Sequence, residues 1–72
     1  MIKIEGIIKE RRPDGSYFVT VSNNEKQIDI ICYISGRWKY KYRRVKLIVG
    51  DKVLVELNPY EKGKGKIIRK LR

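Results

Sequence analysis

Residues 2–21, IKIEGIIKERRPDGSYFVTV, carry the pattern that decides the fold. Ile2, Ile4, Gly6 and Ile8 alternate with Lys3, Glu5, Ile7 and Lys9. A period of two lays one side of an extended chain on a core and turns the other to water, so this run reads as a half-buried β-strand. Gly6 suits a bend or a close backbone approach within it. Arg12-Pro13-Asp14-Gly15-Ser16 then reverses the chain, because proline fixes φ and glycine permits positive φ. Tyr17, Val19 and Val21 face one way and Phe18, Thr20 and Ser22 the other, in a second strand rich in aromatic and β-branched residues. Of the adjacent rings Tyr17 and Phe18, one should line the core and the other the exposed sheet face.

The same reasoning extends along the chain. Asn23-Asn24-Glu25-Lys26 is the next reverse turn, since Asn tolerates the left-handed conformation. Ile28, Ile30, Cys32 and Ile34 alternate with Gln27, Asp29, Ile31 and Tyr33, and the all-apolar set should face the core. Ser35-Gly36 ends this third strand and starts a short helical turn. Leu47, Ile48 and Val49 return to the core, Gly50-Asp51 turns, and Val53, Val55 and Leu57 define a fourth strand. A charged, glycine-containing loop follows, and a fifth strand covers residues 66–71. Five short strands with an irregular segment between the third and fourth fit an all-β, five-stranded Greek-key OB-fold barrel with a short helical turn between strands 3 and 4. In that fold the loops after strands one and four, here residues 11–16 and 58–64, flank the binding face. The competing arrangement is a Src-homology-three barrel, which usually binds proline-rich peptides and favours an acidic groove.

Length and composition bound the reading. The chain has 72 residues, enough for one small domain over 1–72 with a thin stability margin. With one cysteine, Cys32, and no His, neither an internal disulfide nor a metal cluster is expected, and Cys32 reads as a small buried apolar residue. A reducing interior is the expected compartment. The first twelve residues carry Glu5 and Glu10 within their apolar run, which fits neither a signal peptide nor a membrane span.

The net charge of +10 is regional. Residues 1–36 hold five basic side chains against five acidic, whereas residues 37–72 hold thirteen against three. Such asymmetry is the footprint of a polyanion-binding surface, although a basic protein can also use lysines only for solubility. The excess is densest in SGRWKYKYRRVK, residues 35–46, where Arg37, Lys39, Lys41, Arg43, Arg44 and Lys46 interleave with Trp38, Tyr40 and Tyr42. Cations neutralise phosphates and rings stack on unpaired bases, so this is the composition of a nucleic-acid contact surface. Trp38 either stacks on a base or packs beneath the segment.

No catalytic constellation is present. The sequence offers no evident base for Ser16, Ser22 or Ser35, Asp14 and Asp51 sit in turns, and Gly63-Lys64-Gly65 lacks the spacing and the Ser or Thr of a phosphate loop. An enzyme is not expected, nor a metal or cofactor.

Several stretches together resemble bacterial and plastid translation initiation factor one. These are Glu5-Gly6-Ile7-Ile8, Pro13-Asp14-Gly15, Tyr33-Ile34-Ser35-Gly36-Arg37, Val45-Lys46-Leu47-Ile48-Val49-Gly50-Asp51-Lys52-Val53, and Tyr60-Glu61-Lys62-Gly63-Lys64-Gly65-Lys66-Ile67-Ile68. They occur in the family's order over nearly the whole chain. The hairpin over residues 21–30 and the basic segment over 36–45 are a few residues longer than the family pattern, and Val49 stands where proline is common. The resemblance implies a divergent member, with a domain related to ribosomal S1-type RNA-binding domains. It implies a cytoplasmic monomer, or one in an organelle stroma or a virus-infected host's cytoplasm. Such a factor binds the small ribosomal subunit at the aminoacyl (A) site, beside the decoding region of the ribosomal RNA. There it blocks premature tRNA entry and assists initiation factors two and three. Carried over, the rRNA contacts are Arg37, Lys39, Lys41 and Lys46, with Tyr60, Lys64, Lys66 and Arg69 as a second edge. Arg43 and Arg44 share the family's basic character, and Trp38 is a possible base-stacking residue. The alternatives are a single-stranded RNA chaperone of cold-shock type, a structural protein of the ribosome, and a membrane-surface protein. No basic amphipathic helix supports the last of these, so no membrane partner is expected.

Overall fold

The computed structural model describes residues 2–23, 25–36, 47–61 and 63–71. Five strands form in chain order: β1 (Ile2–Arg11), β2 (Tyr17–Asn23), β3 (Lys26–Ile34), β4 (Lys52–Leu57) and β5 (Lys64–Lys70). They close into a barrel in the spatial order β1-β2-β3-β5-β4. β1 pairs antiparallel with both β2 and β4, and β4 pairs antiparallel with β5. The closing seam is the parallel pairing of β3 with β5, which sets Ile31 beside Lys64 and Tyr33 beside Lys66. This is the five-stranded OB barrel expected from the strand count. The short helical turn expected to start at Ser35-Gly36 has Gly36 in helical conformation, and the rest of it falls on residues 37–46, outside the described residues.

The inward set follows the alternation. Ile8, Tyr17, Val19, Val21, Ile30, Cys32, Leu47, Val53, Val55 and Ile67 form the core. Tyr17 is the core ring and Phe18 the outer one. Burial pushes the Cys32 thiol up to about 12, as befits a packing residue. Gly6 faces inward where β1 crosses β2, and a Cβ there would lie 2.5 Å from Val19 Cγ1 and 3.0 Å from Val21 Cγ1. Gly65 occupies the same role on β5, with Val55 Cγ1 2.7 Å from where a Cβ would stand. Register shifts at Lys9 on β1 and Ile68 on β5 add the local bend that barrel closure needs.

Three local expectations change. Ile48 and Val49 do not return to the core; they are 68% and 64% exposed, and only Leu47 is buried. The reason is a tight turn. The Ile48 N–H donates to Asp51 Oδ2, the Gly50 N–H donates to the Ile8 carbonyl, and Gly50 adopts φ +97°, which aims the intervening side chains outward. Ile28 shares the inward phase of β3 yet is 46% exposed. β3 pairs with β5 only from Ile31 onward, so Ile28 stands at an open barrel end, where Ile2, Ile4, Val21, Ile30 and Leu57 also line a hollow of about 550 Å³. In the β2–β3 turn Glu25 takes φ 68°. β5 begins at Lys64, two residues ahead of the expected start, because the parallel seam recruits Lys64 and Gly65.

Candidate nucleic-acid interface

The outer sheet face collects cations that the described acidic residues leave unpaired. Inward-facing Gly65 and Ile67 on β5 leave Lys64 and Lys66 pointing out. Across the parallel seam Lys66 lies beside Tyr33, whose ring is 47% exposed, and on the other side it lies beside Glu56 of β4. Tyr33, Glu56, Asn58, Glu61, Lys64, Gly65 and Lys66 line a shallow hollow of about 450 Å³. One row along, Phe18, Ile31 and Lys64 sit side by side on β2, β3 and β5.

Several cations elsewhere on the surface are paired. Lys9 meets Asp29 at 2.6 Å, Lys52 meets Glu5 at 3.2 Å, and Lys70 meets Asp51 at 3.5 Å. The Thr20 hydroxyl also donates to Asp29, at 2.7 Å. The Lys9 bond and then the Thr20 bond hold the Asp29 carboxyl below its ordinary range, and Asp29 in turn raises Lys9. The Lys9–Asp29 and Lys52–Glu5 pairs are exposed, so each contributes little to stability; their effect is to neutralise charge around β1. Lys64, Lys66 and Arg69 have no ion-pair partner among the described residues, and all three are exposed.

Two loops bound the face. After β4, the Tyr60 N–H donates to Asn58 Oδ1 at 2.9 Å, the Glu61 N–H donates to the Asn58 carbonyl, and Gly63 takes φ +81°. This order holds Tyr60 away from the barrel, 93% exposed. After β1, Ser16 is fully buried; its N–H and hydroxyl both donate to Asp14 Oδ1, at 3.0 and 2.5 Å. Those two bonds hold the Asp14 carboxyl below its ordinary range.

Of the residues selected from sequence, Tyr60, Lys64, Lys66 and Arg69 are thus all exposed on the β4–β5 loop and β5. Arg37, Trp38, Lys39, Lys41, Arg43, Arg44 and Lys46 lie outside the described residues. Tyr33 was not selected and belongs to the face. Its outward phase was legible, but its place beside Lys66 depends on a pairing between strands about thirty residues apart. No helix among the described residues is long and apolar enough to cross a membrane.

Comparison with known proteins gives consistent similarities. Translation initiation factor IF-1 of Oenococcus oeni is 37% identical over 67 residues, covering 93% of this chain and 86% of that protein. A second such factor, from Polynucleobacter asymbioticus, is 36% identical over 67 residues, covering 93% and 72%. The solution structure of the same translation initiation factor from the Wolbachia endosymbiont of Brugia malayi superposes with a TM-score of 0.72 at 32% identity, covering 99% of this chain and 78% of that one. No protein-family model matches the chain.

Proposed function

This chain belongs to the translation initiation factor IF-1 family, and from that premise we propose that it binds the small ribosomal subunit at the aminoacyl site through ribosomal RNA of the decoding region. There it blocks premature tRNA entry and assists initiation factors two and three, acting as a monomer, without catalysis or a cofactor. The observation that carries this reading is the row of Lys64, Lys66 and Arg69, unpaired among the described residues, beside the exposed Tyr33 ring on the outer face of an OB barrel.

The contacts divide by chemistry. Lys64, Lys66 and Arg69 neutralise phosphates and release counterions. Glu56 and Glu61, which also line the Tyr33 hollow, repel phosphates, which favours a base over the ring. Tyr60 forms the rim. Arg37, Lys39, Lys41, Arg43, Arg44 and Lys46 supply the second wall, with Trp38 as a further stacking ring. An arginine adds a planar fork for phosphate or a flat face for a base, whereas a lysine acts as a point charge.

One observation favours a second reading, a single-stranded RNA chaperone of cold-shock type: Phe18, Ile31 and Tyr33 share the outer face of β2 and β3. Equilibrium binding to purified small subunits separates the two. The initiation-factor reading requires saturable one-to-one binding that weakens steeply with salt and is competed by a ligand of the aminoacyl site. Equal affinity for any single-stranded RNA, with no such competition, would replace it with the chaperone reading.

A further inference from the structure

We propose that Arg12 and Phe18 form a separate stacking site for an unpaired RNA base, at the β1–β2 loop end of the outer sheet face. The inference rests on the RNA-binding reading above and adds a subsite outside the Lys64–Arg69 edge.

The Arg12 guanidinium carbon stands 5.1 Å from the Phe18 ring centroid, a cation–π distance. Its position is built by the loop. The Arg12 N–H donates to the Ser16 carbonyl at 2.8 Å, Arg12 Nη1 donates to Ser16 Oγ at 3.3 Å, and Asp14 Oδ2 lies 3.9 Å from the same nitrogen. Ser16 is itself fixed by Asp14. The guanidinium is therefore anchored along one edge, while the side chain keeps about a third of its surface exposed, at 32%. With Asp14 beside the Nη1 edge, a phosphate is discouraged there. With the Arg12 side chain about a third open and Phe18 partly exposed beside it, guanidinium and ring together offer a flat, cationic platform that suits a nucleobase.

Placement on the sheet supports RNA as the occupant. Phe18 is directly opposite Ile31, and Ile31 is directly opposite Lys64. Adjacent strands lie about 4.8 Å apart, so the platform is about 10 Å from the Lys64 backbone. A single strand laid over Tyr33 and Lys66 reaches Phe18 without leaving the face. The platform then takes one further base of the same strand.

The test uses the full chain, isotopically labelled and titrated with a single-stranded adenine hexamer or the same hexamer bearing abasic sites. Saturable shifts of the Phe18 ring and Arg12 Nε–H signals are expected with the adenine hexamer and are lost with the abasic one. In parallel, Arg12→Leu should weaken binding to purified small subunits about tenfold, the effect of losing one stacked base, and Arg12→Lys should restore only part of it. Unchanged melting of both variants separates contact from folding. If Lys64 and Lys66 signals move while Arg12 and Phe18 do not, the platform is overturned and the initiation-factor reading stands. Equal shifts with the abasic hexamer overturn stacking. If Phe18 and Arg12 respond to the hexamer but small subunits are not bound saturably, the platform stands and the initiation-factor reading fails.

Discussion

Replacing Gly6 by alanine tests the barrel closure that carries the proposed binding face. The new Cβ would stand 2.5 Å from Val19 Cγ1, 3.0 Å from Val21 Cγ1 and 3.2 Å from the Thr20 carbonyl. Val19 is fully buried and Val21 is 4% exposed, and β-branched side chains have few alternative rotamers, so the strands must part. Overpacking of this kind costs about 1–3 kcal/mol, and the reduced entropy of the unfolded chain returns about 0.4–1 kcal/mol of it. Mid-range values leave a net loss of about 1.3 kcal/mol. For a chain of this length the unfolding entropy is about 0.15 kcal/mol per kelvin, so Tm falls by about 9 °C. Thermal unfolding followed by circular dichroism measures it. A double-mutant cycle with Val19→Ala isolates the clash, because shortening Val19 opens the space that the alanine needs. The two changes together should cost less than the sum of the separate losses. A Tm within about 2 °C of wild type for Gly6→Ala, or strict additivity in the cycle, would refute the close-approach argument.

Other perturbations address the surface and the core. Lys64→Glu with Lys66→Glu should leave melting unchanged, since both side chains are exposed. It should weaken subunit binding and lower the salt slope by about two, and an unchanged slope would remove both lysines from the phosphate contacts. The depressed Asp14 carboxyl contributes its hold on Ser16 above its ordinary value of 3.8, and loses it as pH falls through the lower folded value. The Phe18 ring signal should therefore move in an acid step below pH 3.8 that Asp14→Asn abolishes; persistence of the step in that variant would assign it elsewhere. Cys32, fully buried with its thiol pushed up to about 12, should resist alkylation at pH 8 until the barrel unfolds. Rapid modification under native conditions would contradict its place in the core.

Local alternation made the strands legible, and long-range pairing set what was not. Tyr17, Val19 and Val21 on one phase and Phe18 on the other follow directly from the period of two, as does the buried pair Val53 and Val55. Gly6 announced a close approach because it interrupts a strand with no side chain to pack. Periodicity could not show where the barrel ends, so Ile28 looked like core although no β5 neighbour reaches it. Nor could hydropathy distinguish Leu47, which is buried, from Ile48 and Val49, which a turn closed by Asp51 directs outward. On the outer face, Tyr60, Lys64, Lys66 and Arg69 were marked by family resemblance. Tyr33 and the Arg12–Phe18 contact were not, because each depends on partners that only the closed sheet or the folded loop brings together.

The most direct test of the central claim is chemical footprinting of small-subunit ribosomal RNA with and without the protein, at a concentration that saturates binding. Protection confined to the decoding region around the aminoacyl site, lost on reversal of Lys64 and Lys66, is the predicted result. Protection absent from that region, or spread evenly over the RNA, would contradict it.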